Sequence, residues 1–229
     1  MRAPAPEFVL DHLPEAVAVP AGGRCLPGVL TLPPEPSGLV LLASAAGAAR
    51  ADECRRAVAE SLVRANFGTL RCDLVTEDEA RAPARAPELP ALAERLRAAA
   101  AWARTYPATA DLATGYFAAG PKGAAAALVA AAAGPGPRAV MVCGEPAAAP
   151  GDLSAAAMAP VLLVVGGGEI GAVERGRALL GRLGGIGRLV AIPAAMDPCE
   201  TGRGRAHLAR LATLWFGRHL GAARRPGSS

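Results

Sequence analysis

The stretch from Gly115 to Ala133 constrains the fold of this chain more than any other. It reads Gly-Tyr-Phe-Ala-Ala-Gly-Pro-Lys-Gly-Ala-Ala-Ala-Ala-Leu-Val-Ala-Ala-Ala-Ala. An apolar strand runs into a Gly/Pro turn, and an alanine-rich helix follows at once. Such a junction is a nucleophile elbow, in which a strained strand-to-helix turn holds a reactive side chain above a parallel sheet. The Gly-x-Ser-x-Gly pattern of a working elbow is absent. The turn Ala119-Gly120-Pro121-Lys122 contains no Ser, Cys or Asp. The same stretch therefore argues for the fold and against ordinary hydrolysis.

The rest of the chain reads as alternating strands and helices. Glu15–Pro20 and Arg24–Leu32 form a hairpin across Ala21-Gly22-Gly23. Gly38–Ala43 is a continuous apolar run, the pattern of a strand buried on both faces. A loop at Ser44–Arg50 leads to a helix ending near Ala65, with Val58 and Leu62 on its inner side. Gly68–Leu74 is a strand, and the acidic, proline-broken stretch Glu77–Pro90 reads as loop. A helix over Ala91–Tyr106 precedes the strand Ala113–Ala118 and the elbow. Further strands are expected at Arg138–Cys143, Val161–Val165 and Arg188–Ile192. The last two helices are expected at Ile170–Leu183 and Arg205–Leu220, and a long loop spans Gly144–Pro160. Strands alternating with helices imply a mostly parallel sheet covered on both faces, with ligands beyond the carboxyl ends of the strands.

Length and composition narrow the function. At 229 residues the chain suits one α/β domain over 15–221, with an N-terminal arm over 1–14 and a flexible basic tail over 222–229. A net charge of +4, no basic run and 3% aromatic residues argue against nucleic-acid binding. Five widely spaced cysteines without a Cys-x-x-Cys pair support neither a zinc site nor a disulfide framework. No apolar signal core and no bilayer-spanning run are present, so a cytoplasmic protein without membrane contact is expected, with no metal and no cofactor. All but one of the 24 basic residues are Arg, and the single Lys is Lys122, in the elbow turn.

Several segments together resemble bacterial dienelactone-hydrolase-like proteins of the α/β-hydrolase fold. They are Gly38–Ala43, Asp73–Thr76, Leu92–Leu96, Gly115-Tyr116-Phe117, Gly123–Val129, Leu162–Gly167 and Trp215–Leu220, and the match runs from about Glu15 to Leu220. The resemblance implies an eight-stranded sheet with the elbow after the fifth strand. It places the nucleophile at Gly120 counting from Gly115, or at Pro121 counting back from Gly123, and neither residue can attack a carbonyl. It places the acid at Glu169 and the base at Asp197, where the family has a histidine. The oxyanion loop of the family corresponds to Ser44, Ala45 and the residues up to Arg50. His12, His207 and His219 lie in the arm and the last helix, away from these positions.

Two functions of different classes follow. In one, Lys122, Glu169 and Asp197 carry non-hydrolytic acid–base chemistry on a small carbonyl compound, such as isomerisation, cyclisation or elimination, with Lys122 able to bind an anion or form a Schiff base. In the other, a catalytically inactive pseudo-hydrolase binds a ligand, a second copy of itself or a protein partner. A displaced thiolate at Cys143, Cys199 or Cys54 is a minor third reading. Asp52, Glu53 and Asp73 lie near the same loop ends.

Overall fold

The computed structural model describes residues 13–45, 49–133, 135–147, 159–183, 185–193 and 195–221. The N-terminal arm to residue 12, His12 within it, and the tail 222–229 lie outside the described residues, as do 46–48, 134, 148–158, 184 and 194. The described residues form an eight-stranded sheet in the order β1-β2-β4-β3-β5-β6-β7-β8. The strands are β1 (Glu15–Ala21), β2 (Arg24–Thr31), β3 (Leu39–Ser44), β4 (Gly68–Asp73), β5 (Thr114–Ala119), β6 (Ala139–Cys143), β7 (Val161–Gly166) and β8 (Gly187–Ile192). The two pairings made by β2, with β1 and with β4, are antiparallel, and the remaining pairings are parallel.

The central strands are buried on both faces because helices cover both. The helices are α1 (Ala49–Arg64), α2 (Glu77–Arg81), α3 (Leu89–Thr105), α4 (Pro121–Ala132), α5 (Ala172–Arg182) and α6 (Gly202–Leu220). Alternate side chains go to opposite sides, as the pleat requires. Leu39, Leu41, Tyr116, Ala118, Val140, Val142 and Leu163 pack with α3, α4 and α5. Val40, Leu42, Phe117, Met141, Leu162 and Val164 pack with α1 and α6. Val58 and Leu62 of α1, and Leu92, Leu96 and Ala99 of α3, are buried where the sequence places them. On α6, Leu208 and Trp215 are buried, and the Trp215 indole N–H donates to the Val140 carbonyl oxygen at 3.0 Å. Aromatic residues are few, so this bond and the small side chains of α4 set how closely the helices approach the sheet. Ala124–Ala127, Ala130 and Ala131 are all buried.

One expected loop is structured. Glu77–Pro90 contains α2, a 3-10 turn at Pro83–Arg85 and the first turn of α3. The cause is a capping box. The Thr76 hydroxyl accepts from the Glu79 N–H at 3.4 Å, and Glu79 Oε2 accepts from the Thr76 N–H at 3.0 Å. Pro90 falls in the first turn of α3, where a missing N–H costs nothing. Elsewhere the ends shift by a few residues, as at α6, which starts at Gly202 because the Thr201 hydroxyl caps it through the Gly204 N–H at 3.0 Å. Among the described residues no helix is long and apolar enough to cross a membrane.

Candidate functional site

The elbow stands at the carboxyl end of β5, in the middle of the sheet. Gly120 is the residue before the helix and has φ 78° and ψ 162°. That region is open essentially to glycine alone, and a residue with a side chain would be strained there. Both sides fix the turn. The Gly120 N–H donates to the Cys143 carbonyl at 3.0 Å, and its own carbonyl accepts from the Ala124 N–H at 2.9 Å. A Cβ built on Gly120 would meet nothing within 4 Å. The position has the backbone of an elbow and room for a side chain, but no side chain. Pro121 is the first residue of α4 and has no N–H to offer.

A pocket of about 400 Å³ opens beside the elbow. Its walls come from the ends of β6 and β7 and the loop after β8, and include Gly120, Pro121, Cys143, Glu145, Glu169 and Asp197. Gly166 also lines it, for a steric reason. A Cβ there would lie 2.2 Å from the Met196 carbonyl oxygen, so the loop carrying Asp197 can press onto β7 only against glycine.

The structure brings two of the three expected catalytic residues to one pocket. Glu169 and Asp197 both line the pocket, and both are exposed. Glu169 is paired with Arg175, whose Nε also donates to Glu145. Asp197 Oδ1 accepts from the Cys199 N–H at 2.8 Å, which ties the carboxylate to its own loop. Lys122 does not join them. It is exposed in the first turn of α4 and outside the pocket lining, because the helix turns that position toward water. The desolvation that a Schiff-base lysine needs is missing there. Ser44 and Ala45, at the end of β3, are buried and also outside the lining. The Ala45 N–H lies close to the start of α4, 3.9 Å from where a Gly123 Cβ would be.

The remaining candidates have structural roles. Asp52 and Asp73 hold the buried Arg55 guanidinium, at 2.7 Å and 2.6 Å, and Arg55 also donates to the Cys72 carbonyl at 3.2 Å. The hydrogen bond from Arg55 holds the Asp52 carboxyl below its ordinary range. Glu53 pairs with Arg205 at 3.2 Å. His207 lies on α6 outside the pocket lining. His219 sits at the far end of α6 with its ring edge-on to Trp215, and burial pushes its pKa down. Among the described residues no histidine lines the pocket, and no group of His, Cys, Asp and Glu is arranged to hold a metal ion.

Sequence reasoning named Cys143, Cys199 and Cys54 one by one as candidate thiolates, but not that they meet in one cluster. Cys143 ends β6, Cys199 follows Asp197, and their sulfurs are 3.8 Å apart. Cys54 of α1 lies in the same buried cluster and interacts with both. All three are buried. The Cys143 and Cys199 thiols donating to Cys54 push its pKa down to about 5, against the opposing effects of burial and Asp197. Hydrogen bonding to Cys199 and Cys54, with burial, pushes the Cys143 thiol well up. In Cys199 the bond to Cys143 lowers the pKa, but the bond to Cys54 and burial outweigh it and the direction is up. No sequence signal marks the cluster, because the three cysteines are far apart in the chain.

Comparison with known proteins fits this geometry. No family model matches the chain. It is 38% identical, over 208 residues and 90% of its length, to a Mycobacterium tuberculosis protein whose name assigns it provisionally to the phosphoribosyl transferases. The chain spans about half the length of these curated relatives, 46%. It is similar to the crystal structure of a dienelactone hydrolase from Anabaena variabilis, with a TM-score of 0.84 and 36% identity over 91% of this chain and 98% of that one. Est1E from Butyrivibrio proteoclasticus matches with a TM-score of 0.69 over 90% of this chain and 99% of that one, but at 18% identity it speaks for the fold alone.

Proposed function

This chain belongs to the dienelactone-hydrolase family of the α/β-hydrolase fold, and on that premise we propose that it binds a small polar carbonyl compound in the elbow pocket without forming an acyl-enzyme. One observation carries the reading. Gly120 occupies the elbow position, and among the described residues no atom lies within 4 Å of where its Cβ would stand. The two other parts of acyl transfer are also unsupported. A base would have to be Asp197, since no described histidine lines the pocket. The oxyanion hole of this fold uses the N–H of the residue after the nucleophile, and with the nucleophile position at Gly120 that residue is Pro121. A triad acts as a unit, so losing nucleophile and base together leaves only binding and backbone donors.

The mouth also suggests which ligands fit. Glu145, Glu169 and Asp197 line it, and one guanidinium, Arg175, pairs with the two glutamates. This acidic rim disfavours polyanions, so we do not extend to this chain the phosphoribosyl transfer named for the mycobacterial relatives, of which it spans about half. A hydroxylated or keto compound suits a pocket of this size. Glu169 and Asp197, both lining this pocket, favour a second reading, acid–base chemistry on that compound, without Lys122.

An activated aryl ester tests the main reading. Wild-type protein and Gly120→Ser are both expected to hydrolyse p-nitrophenyl acetate at the buffer rate, since the serine still lacks a base and the second oxyanion donor. Turnover by wild-type protein that disappears in Asp197→Ala would overturn the reading. A thermal-shift panel of small hydroxy and keto compounds supplies the positive arm. A stabilising compound is expected, with the shift lost in Glu169→Gln/Asp197→Asn. Conversion of that compound to an isomer would establish the second reading.

A further inference from the structure

We propose that Cys143 and Cys199 are a modification site for hydroperoxides, closing to an internal disulfide with Cys54 as the positioning thiol. The inference is independent of any ligand in the pocket. Three facts carry it. The Cys143 and Cys199 sulfurs are already in contact at 3.8 Å. Cys143 is among the residues that line the pocket, which puts the buried cluster directly beneath the cavity through which a small oxidant would enter. Cys54 packs in the same buried cluster as both, beside the Arg205 guanidinium that donates to the Cys199 carbonyl at 3.0 Å.

The third thiol matters because a thiolate, not a thiol, attacks peroxide. Two S–H groups converging on one sulfur replace the water that a buried thiolate lacks. Their hydrogen bonds favour the anion at Cys54, against burial and Asp197, whereas the Cys143 thiol holds its proton more firmly than a free thiol. In coupled groups the charge belongs to the set rather than to one residue. Cys54 therefore acts as the base that takes the Cys143 proton as Cys143 attacks.

The chemistry balances with hydrogen peroxide or an alkyl hydroperoxide as oxidant. The Cys143 thiolate attacks the peroxide, forming an S–O bond and breaking the O–O bond, and water or an alcohol leaves with one proton. Cys199 sulfur then attacks the sulfenic acid, an S–S bond forms, and water leaves with the thiol proton. Two thiols lose two electrons to one peroxide. Cys199 lies two residues after Asp197 and directly after Pro198, and both Asp197 and Pro198 line the pocket. Closing the sulfur–sulfur gap therefore draws the Asp197 loop toward β6.

The test uses the full 229-residue chain at equimolar hydrogen peroxide, followed by alkylation and peptide mass spectrometry. A Cys143–Cys199 linked peptide is expected, with Cys54 and the exposed Cys25 still alkylatable after denaturation. In Cys199→Ser the linked peptide is expected to vanish and Cys143 to be trapped by dimedone as a sulfenic acid. In Cys54→Ser the same linkage is expected to form on the order of tenfold more slowly, as the thiolate fraction falls and nucleophilicity rises in part compensation. Oxidation confined to Cys25, or a Cys54→Ser variant as fast as wild type, would overturn the proposal. The wild-type peptide map decides even where a variant fails to fold.

Discussion

Glu79 with Arg95, and Glu169 with Arg175, are the same ion pair in two settings. At the first, the side chains are 7% and 11% exposed and meet in two parallel bonds of 2.7 Å and 2.8 Å. Arg95 also donates to the Leu74 carbonyl at 2.7 Å, which clamps the end of β4 to α3. At the pocket mouth the side chains are 43% and 45% exposed, and Arg175 divides its donors between Glu169 and Glu145. Chemistry does not separate the two clusters; water does. A pair sealed from water is costly to break, because the surviving charge has no solvent. A pair in water holds little energy and can exchange partners, so it is available to a ligand.

The largest way to break this contrast is Arg95→Ala. It leaves Glu79 with the Thr76 N–H and, for a cation among the described residues, only the half-exposed Arg24 at 3.6 Å, and a loss of about 4 kcal/mol is expected, read as a fall in Tm of roughly 10 °C. The next test is acid. The Arg95 hydrogen bonds and the Thr76 N–H hold the Glu79 carboxyl down to about 2, against a usual 4.5. A depressed carboxyl contributes its stability above the unfolded value and loses it as pH falls through the folded one. Urea unfolding from about pH 5 to about pH 2 is expected to lose ~3 kcal/mol from this group, and Glu79→Gln is expected to remove that share of the slope. The smallest effect belongs to the mouth. Arg175→Ala is expected to change stability by under about 0.5 kcal/mol. A cost there equal to that of Arg95→Ala would end the comparison.

These clusters also mark how far the sequence can be read. The runs Leu39–Ala43 and Val161–Val165 announce strands buried on both faces, because only such strands tolerate unbroken apolar residues. The elbow at Gly120 is legible because few junctions turn a strand into a helix so abruptly. Its register is not: Gly120 and Pro121 fit the flanking residues equally, and only the positive φ separates them. Helix α2 is hidden behind Pro83, Pro87 and Pro90, although Thr76 and Glu79 carry the capping signal. Glu169 and Asp197 are legible as pocket residues from their places after β7 and β8, whereas the direction of Lys122 depends on helix phase at the elbow turn. The partners of Arg55 and Arg95, and the meeting of Cys54, Cys143 and Cys199, arise from non-local packing that no spacing rule encodes.

Pro121 has a consequence for re-engineering. On the proposed reading, a serine placed at Gly120 would find no amide hydrogen at 121 and, among the described residues, no imidazole at the pocket. Replacing the proline alone would add a donor with no tetrahedral oxygen to receive it. Acyl transfer would then need several exchanges made together, because one five-membered ring removes the reward from any single one.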